Sequence, residues 1–333
     1  MTGPAPTGPA PAAGPWWRRW LDPLTAMIVA ALVLGLLLPV TGAAAAAVDA
    51  VRDGAIVLLF LLYGARMPTR DVLRGLRRWR LQGSMLAATF LVFPLLGLAT
   101  QLLPDAVLAP DLQRGLLYLS LLPSTVQSSV VFTSVARGNV AGAITGATIS
   151  NVVGVVVTPL LVTVLMSASA GGPQAGGITG VLLQVLLPFV VGQCVQPWAG
   201  GWLRAHASLT RVTDRATIVL VVYAAVSEAT ATGAWSHVTL GALLVLLAVC
   251  GVLLAAMLAL TWRGGAWLGL DRADRIALLM CGSKKSAATG LPMTVVLFTP
   301  AVAASVALPV IVFHQLQLTV CALIARRLAA SAR

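Results

Sequence analysis

The sequence predicts an all-α polytopic membrane protein, with ten transmembrane helices arranged as two inverted five-helix repeats. Three observations predict it. Only 10% of the residues are charged and 59% are hydrophobic, with a mean hydropathy of +0.94, whereas a soluble domain carries about 25% charged residues. Apolar stretches approaching the ~20 residues that cross a bilayer recur along the whole chain, without the strand alternation of an outer-membrane barrel. The basic residues fall almost entirely on one side of those stretches.

Taken in order, residues 1–20 are rich in Pro, Ala, Gly and Thr and read as a disordered tail ending in Trp16, Trp17 and Trp20 around Arg18 and Arg19. The Ala-rich run at 43–47 imitates a signal-peptide cleavage site, but the spans that follow make the first one a retained helix. The expected spans are 24–40, 48–65, 81–103, 115–136, 140–166, 179–200, 213–231, 238–262, 276–298 and 302–325. With the N-terminus inside, eighteen Lys and Arg residues lie in inside segments and only Arg52 and Arg114 outside. That split places both termini in the cytoplasm of a cell inner (plasma) membrane protein. The basic loop 66–80 fits the same topogenic pattern.

The net charge of +12 invites a nucleic-acid partner, but the arginines sit in short clusters between apolar spans, which excludes that reading. Cys194, Cys250, Cys281 and Cys321 stand singly in apolar segments, so neither a zinc site nor a disulfide framework is indicated. Spans 1, 4 and 5 are echoed by spans 6, 9 and 10 at an offset of roughly 160 residues, as internal duplication in transporters gives. An odd number of spans per half makes the repeat inverted. The halves are then 21–170 and 171–328, followed by a short cytoplasmic tail at 329–333.

That repeat sets span 4 opposite span 9, the two most polar and interrupted segments. In span 4, Pro123 stops a helix and Ser124 or Thr125 can start a new one, followed by Gln127, Ser128 and Ser129. In span 9, Gly282 and Ser283 end one half-helix, and Lys284, Lys285 and Ser286 open the next. An ionisable side chain at membrane depth costs roughly 2.5–3.5 kcal/mol even on the lenient insertion scale, so it normally faces a polar cavity. Two adjacent lysines at a positive half-helix terminus call for an anionic group nearby. Thr148 and Asn151 on span 5 and His314, Gln315 and Gln317 on span 10 add polar groups, as do Gln82 and Thr89 on span 3.

At these residues the chain resembles the sodium/bile acid cotransporter-like family over about residues 20–328. The matching stretches are PSTVQSSVVFTSVARGN (123–139), ISNVVGVVVTP (149–159) and GSKKSAATGLPM (282–293). The resemblance is to the branch with GSKKS in the ninth helix. It implies a panel domain and a core domain, with helices 4 and 9 discontinuous and crossing where they are unwound. It also implies a sodium site on Ser128, Ser129, Thr148, Asn151 and Ser283. The sodium-ligating glutamate of the family's ninth helix has no counterpart, because 280–286 contains no acid. Sodium coupling is thereby called into question, and a lysine ammonium standing in the ion's place, with proton coupling, is the alternative.

The function expected is secondary active transport of a small, bile-acid-like or amphipathic organic anion by alternating access, with no cofactor beyond a coupling sodium or proton. The binding residues expected are Ser124, Thr125, Gln127, Ser128, Ser129, Thr148, Asn151, Ser283, Lys284, Lys285, Ser286 and His314. Two other classes stay open: a non-transporting regulator of ion homeostasis, and a membrane enzyme using Ser283 and Lys284 as nucleophile and base. Neighbours on a helix do not face each other, which counts against the enzyme. The sequence leaves the oligomeric state open.

Overall fold

The computed structural model describes residues 23–67, 78–166, 179–180, 182–233 and 239–331. The expected tail and most of the basic loop 66–80 lie outside these residues. All regular structure among the described residues is helical. We label α1 Pro23–Leu37, α2 Gly42–Arg66, α3 Trp79–Thr100, α4 Pro110–Leu121, α5 Gln127–Val135 and α6 Val140–Met166. The second half comprises α7 Leu182–Ala205, α8 Ala207–Ala231, α9 Leu240–Trp267, α10 Arg272–Gly282, α11 Ala287–Leu297 and α12 Pro300–Ala330.

Five of these helices are long and apolar enough to cross a membrane: Trp79–Thr100, Val140–Met166, Leu182–Ala205, Leu240–Trp267 and Val302–Ala330. The other expected spans differ for identifiable reasons. The segments 115–136 and 276–298 are each divided into two half-helices. α1 is only 15 residues long. α2 carries Asp49, Arg52 and Asp53, and α8 carries Arg211, Asp214, Arg215 and Glu228, so both are apolar only in part. Large apolar side chains such as Val164, Leu244 and Val252 point outward, as they do where lipid is the solvent.

Two packing groups are evident. α2 lies closely along α7, and α1 along α8. The approach is set by Gly64 and Gly192, where a Cβ would run into the main-chain carbonyls of Phe189 and Leu61, respectively. The second group gathers α4, α5, α6, α10 and α12 around the two helix breaks, with α3 and α9 packed outside them. α8 bridges the groups by packing on α11 and α12.

α3 contains a feature that matters at the site. Its middle turn, Ala88–Val92, is a π-helix in which the Phe93 amide bonds to the Ala88 carbonyl. In that register the Thr89 carbonyl would pair with residue 94, but Pro94 has no N–H to give. The Thr89 carbonyl is therefore free to accept from another element.

Candidate functional site

The breaks between α4 and α5 and between α10 and α11 meet one another. The Ser286 amide donates to the Pro123 carbonyl at 2.8 Å, joining the two unwound segments directly. Gly290 allows the approach, since a Cβ there would collide with the Leu122 side chain. Each break leaves main-chain groups without helical partners in a place where lipid offers none, so the fold must supply them.

Many of those partners are single polar side chains. The Ser124 amide donates to Ser150 Oγ at 3.0 Å, and Asn151 Nδ2 donates to the Ser124 carbonyl at 2.8 Å. On the other segment, the Lys285 amide donates to Gln317 Oε1, and Gln317 Nε2 donates back to the Lys285 carbonyl, both at 2.8 Å. The carbonyls that end α10 accept hydroxyls: Ser283 Oγ on Leu279, Ser129 Oγ on Met280 and Ser124 Oγ on Cys281. Of those that end α4, Leu121 accepts from Thr158 Oγ1, and Ser120 and Leu122 accept from the Lys285 ammonium.

The two lysines therefore differ. Lys285 Nζ donates to the carbonyls of Thr89 (2.8 Å), Ser120 (2.7 Å) and Leu122 (2.7 Å) and lies 4.3 Å from the centre of the Phe93 ring. Lys284 Nζ makes one long contact, 3.4 Å to Ser128 Oγ, and lies 4.4 Å from the centre of the Phe132 ring. Both side chains are buried.

Proton counting orients the hydroxyls beside Lys284. Ser129 spends its single proton on the Met280 carbonyl, so Thr125, 3.0 Å away, donates to Ser129. Ser128, 2.8 Å from Thr125, then donates to Thr125 and accepts from Lys284. A directed chain runs from Lys284 through Ser128, Thr125 and Ser129 to a helix-terminal carbonyl.

A cavity of about 150 Å³ opens beside this crossing. Thr125, Gln127, Ser128, Asn151, Ser286 and His314 line it, so six of the expected residues share its wall. Ser124, Ser129, Ser283, Lys284 and Lys285 lie behind that wall, in the crossing itself. Thr148 is half-buried on α6 and is not among the lining residues. The N-termini of α5 and α11 both open on the cavity through Gln127 and Ala287.

Residues expected only to set topology also line it. Arg66, Arg211 and Arg215 stand on the cavity with Tyr63 and Asp214. Arg66 pairs with Asp214 at 2.9 Å and lies over the Tyr63 ring. The available signal was a pair of opposite charges at the ends of two apolar spans, Arg66 and Asp214. Gln317 was visible as a polar residue, but its clamp on the Lys285 peptide was not.

Residues 22–330 match the model of the SBF-like CPA transporter family. The chain is 42% identical to the uncharacterized protein PA2026 of Pseudomonas aeruginosa over 309 residues, covering 92% of this chain and 93% of the relative. It is 38% identical to the protein named "Putative symporter YfeH" of Escherichia coli over 309 residues, 93% of each chain. Sodium/bile acid cotransporter 7 of Mus musculus is 26% identical over 270 residues, 79% of this chain and 78% of the relative. These relatives carry transporter names and no enzyme names, apart from the one that is uncharacterized. A match over nearly the whole chain, onto an all-helical fold with apolar helices, settles the class: this is a multi-pass membrane transporter protein that belongs to the SBF-like CPA transporter family.

Proposed function

We propose that the chain is a secondary transporter that carries a small, partly apolar organic anion by alternating access. The observation that carries this reading is the convergence of two half-helix N-termini, those of α5 and α11, on one cavity. Each N-terminus presents partial positive charge, although Ser286 Oγ caps the Thr289 amide of α11, and that charge suits a carboxylate, sulfonate or phosphate. Arg66, Arg211 and Arg215 add positive charge around the cavity, and Lys284 lies one hydroxyl behind it through Ser128. Leu24, Tyr63, Met67, Ile218 and Leu318 supply apolar wall for the rest of the ligand.

The ten-helix inverted repeat is supported by the equivalence of the two breaks. Ser124 and Lys285, roughly 160 residues apart, are each clamped at both amide and carbonyl by polar side chains of a neighbouring helix. The group holding α1, α2, α7 and α8 then acts as the panel, and the rest as the core. Arg66, Arg211 and Arg215 fall in segments assigned to the cytoplasm by charge bias, so the cavity faces inward, with both termini cytoplasmic in the inner membrane.

Proteoliposomes carrying the purified protein test this reading. Uptake of a radiolabelled organic anion should saturate, and should accelerate when the same anion is preloaded inside, because exchange is the signature of a carrier. Anion flux no greater than that of empty liposomes across a panel of carboxylates and sulfonates would reject it.

A further inference from the structure

The Lys285 ammonium occupies a site built for a cation. Its ligands are three main-chain carbonyls, 2.7–2.8 Å away, and one aromatic face. Three carbonyl acceptors require three donors from one nitrogen, and only the charged –NH3+ form of lysine has three. Two carbonyls come from the C-terminal end of α4, the negative end of its dipole. The third is the Thr89 carbonyl that Pro94 leaves unbonded. None of these oxygens has a helical N–H to return to if the ammonium leaves.

Elsewhere at the crossing, the surroundings of the oxygens expected to hold sodium disfavour that ion. Ser129 Oγ already accepts from Thr125 at 3.0 Å and Asn151 Oδ1 from Thr289 at 3.1 Å, which leaves each one lone pair for an ion. Ser128 Oγ is 3.4 Å from the Lys284 ammonium. A sodium ion about 4 Å from that charge would face a repulsion of about 4 kcal/mol at an effective dielectric near 20. The acid on this cavity, Asp214, is already paired with Arg66 at 2.9 Å.

We propose that Lys285 is a tethered internal cation: its ammonium fills the carbonyl cage that would otherwise need a free monovalent cation, so this protein assembles its crossing without sodium. The proposal bears on the transport reading only through the coupling ion. Its test reads cation binding in purified protein, so it stands or falls without any flux measurement.

Thermal unfolding of the detergent-purified protein is followed in sodium chloride and in choline chloride at equal ionic strength. The unsubstituted protein should unfold at the same temperature in both salts. Lys285→Ala, which opens the cage without blocking it, should unfold several degrees lower in choline. Sodium or methylammonium chloride should raise its midpoint saturably. Lys285→Met, which fills the space with an apolar chain, should unfold low and ignore the salt. A saturable, sodium-specific shift in the unsubstituted protein would overturn the proposal, and this arm decides even if Lys285→Ala resists purification. A Lys285→Ala protein that unfolds low in every salt, or as high as the parent in choline, would overturn it as well.

Discussion

The two helix breaks face the same problem and solve it with different chemistry. At each, a helix stops inside the fold and leaves buried terminal carbonyls that donors from elsewhere in the protein satisfy. The break at 122–126 and the first turn of α5 supply their partner with neutral hydroxyls, Ser124 and Ser129, which cap the end of α10. The break at 283–286 returns an ammonium, Lys285, which caps the end of α4. The difference teaches that charge at membrane depth here is first a structural substitute for a missing N–H. A hydroxyl can cap one carbonyl, whereas an ammonium caps three and complements the helix dipole at the same time.

Magnitudes separate the adjacent lysines in the same way. Burying one costs roughly 2.5–3.5 kcal/mol on the insertion scale, while a hydrogen bond to a charged group contributes roughly 1.5–3 kcal/mol. Three such bonds more than offset the burial of Lys285, whereas one contact of 3.4 Å does not offset that of Lys284. Lys284 is thus the charge still in want of a partner, and it lies on the cavity side of the crossing, behind Ser128.

The largest effect is expected from Lys285→Met. It strands three buried carbonyls, each unmet polar group costing about 1–3 kcal/mol, so a large loss of thermal stability should follow. Lys284→Gln should do the opposite of its neighbour: a midpoint within a few degrees of the parent, but at least tenfold weaker anion uptake at low concentration, corresponding to about 1.4 kcal/mol or more of lost anion stabilisation. Equal stability losses at the two lysines would break the comparison. Gln317→Leu should come next, because it unpairs both the amide and the carbonyl of Lys285, at about 2 kcal/mol or more in all. Asn151→Leu should cost less at the first break, since Ser150 would still hold the Ser124 amide.

Much of this was legible in the sequence. Pro123 and the Gly282–Ser283 pair marked both breaks, and Lys284 and Lys285 stood out as charges in an apolar run. The absence of an acid near 280–286 raised the question of the coupling ion without answering it. What could not be read was the cage, because its ligands are main-chain oxygens of Thr89, Ser120 and Leu122 and carry no side-chain signature. Pro94 was the one local sign, and it means something only once the π turn before it is known. The arginines around the cavity were hidden for another reason. Arg66, Arg211 and Arg215 serve the charge bias of the loops, and that explanation sufficed until α2 and α8 were seen to bring them to the cavity.

The smallest effect sharpens the comparison most finely. Ser124→Ala removes the hydroxyl that caps the Cys281 carbonyl at 2.6 Å, leaving the Ser124 main chain and its clamps in place. It leaves one buried carbonyl unmet, at about 1–3 kcal/mol against three such groups in Lys285→Met, so the unfolding midpoint should fall by a few degrees. Combining Ser124→Ala with Ser129→Ala uncaps the Cys281 and Met280 carbonyls together, and it also removes the end of the hydroxyl chain that begins at Lys284. If the hydroxyls only cap, the two losses should add. If the chain also fixes the orientation of Ser128 toward Lys284, the double variant should lose anion affinity beyond the sum of the single effects, while stability remains additive. Thermal unfolding and uptake measured on the same four proteins distinguish these outcomes, since a shared network is the circumstance in which additivity fails.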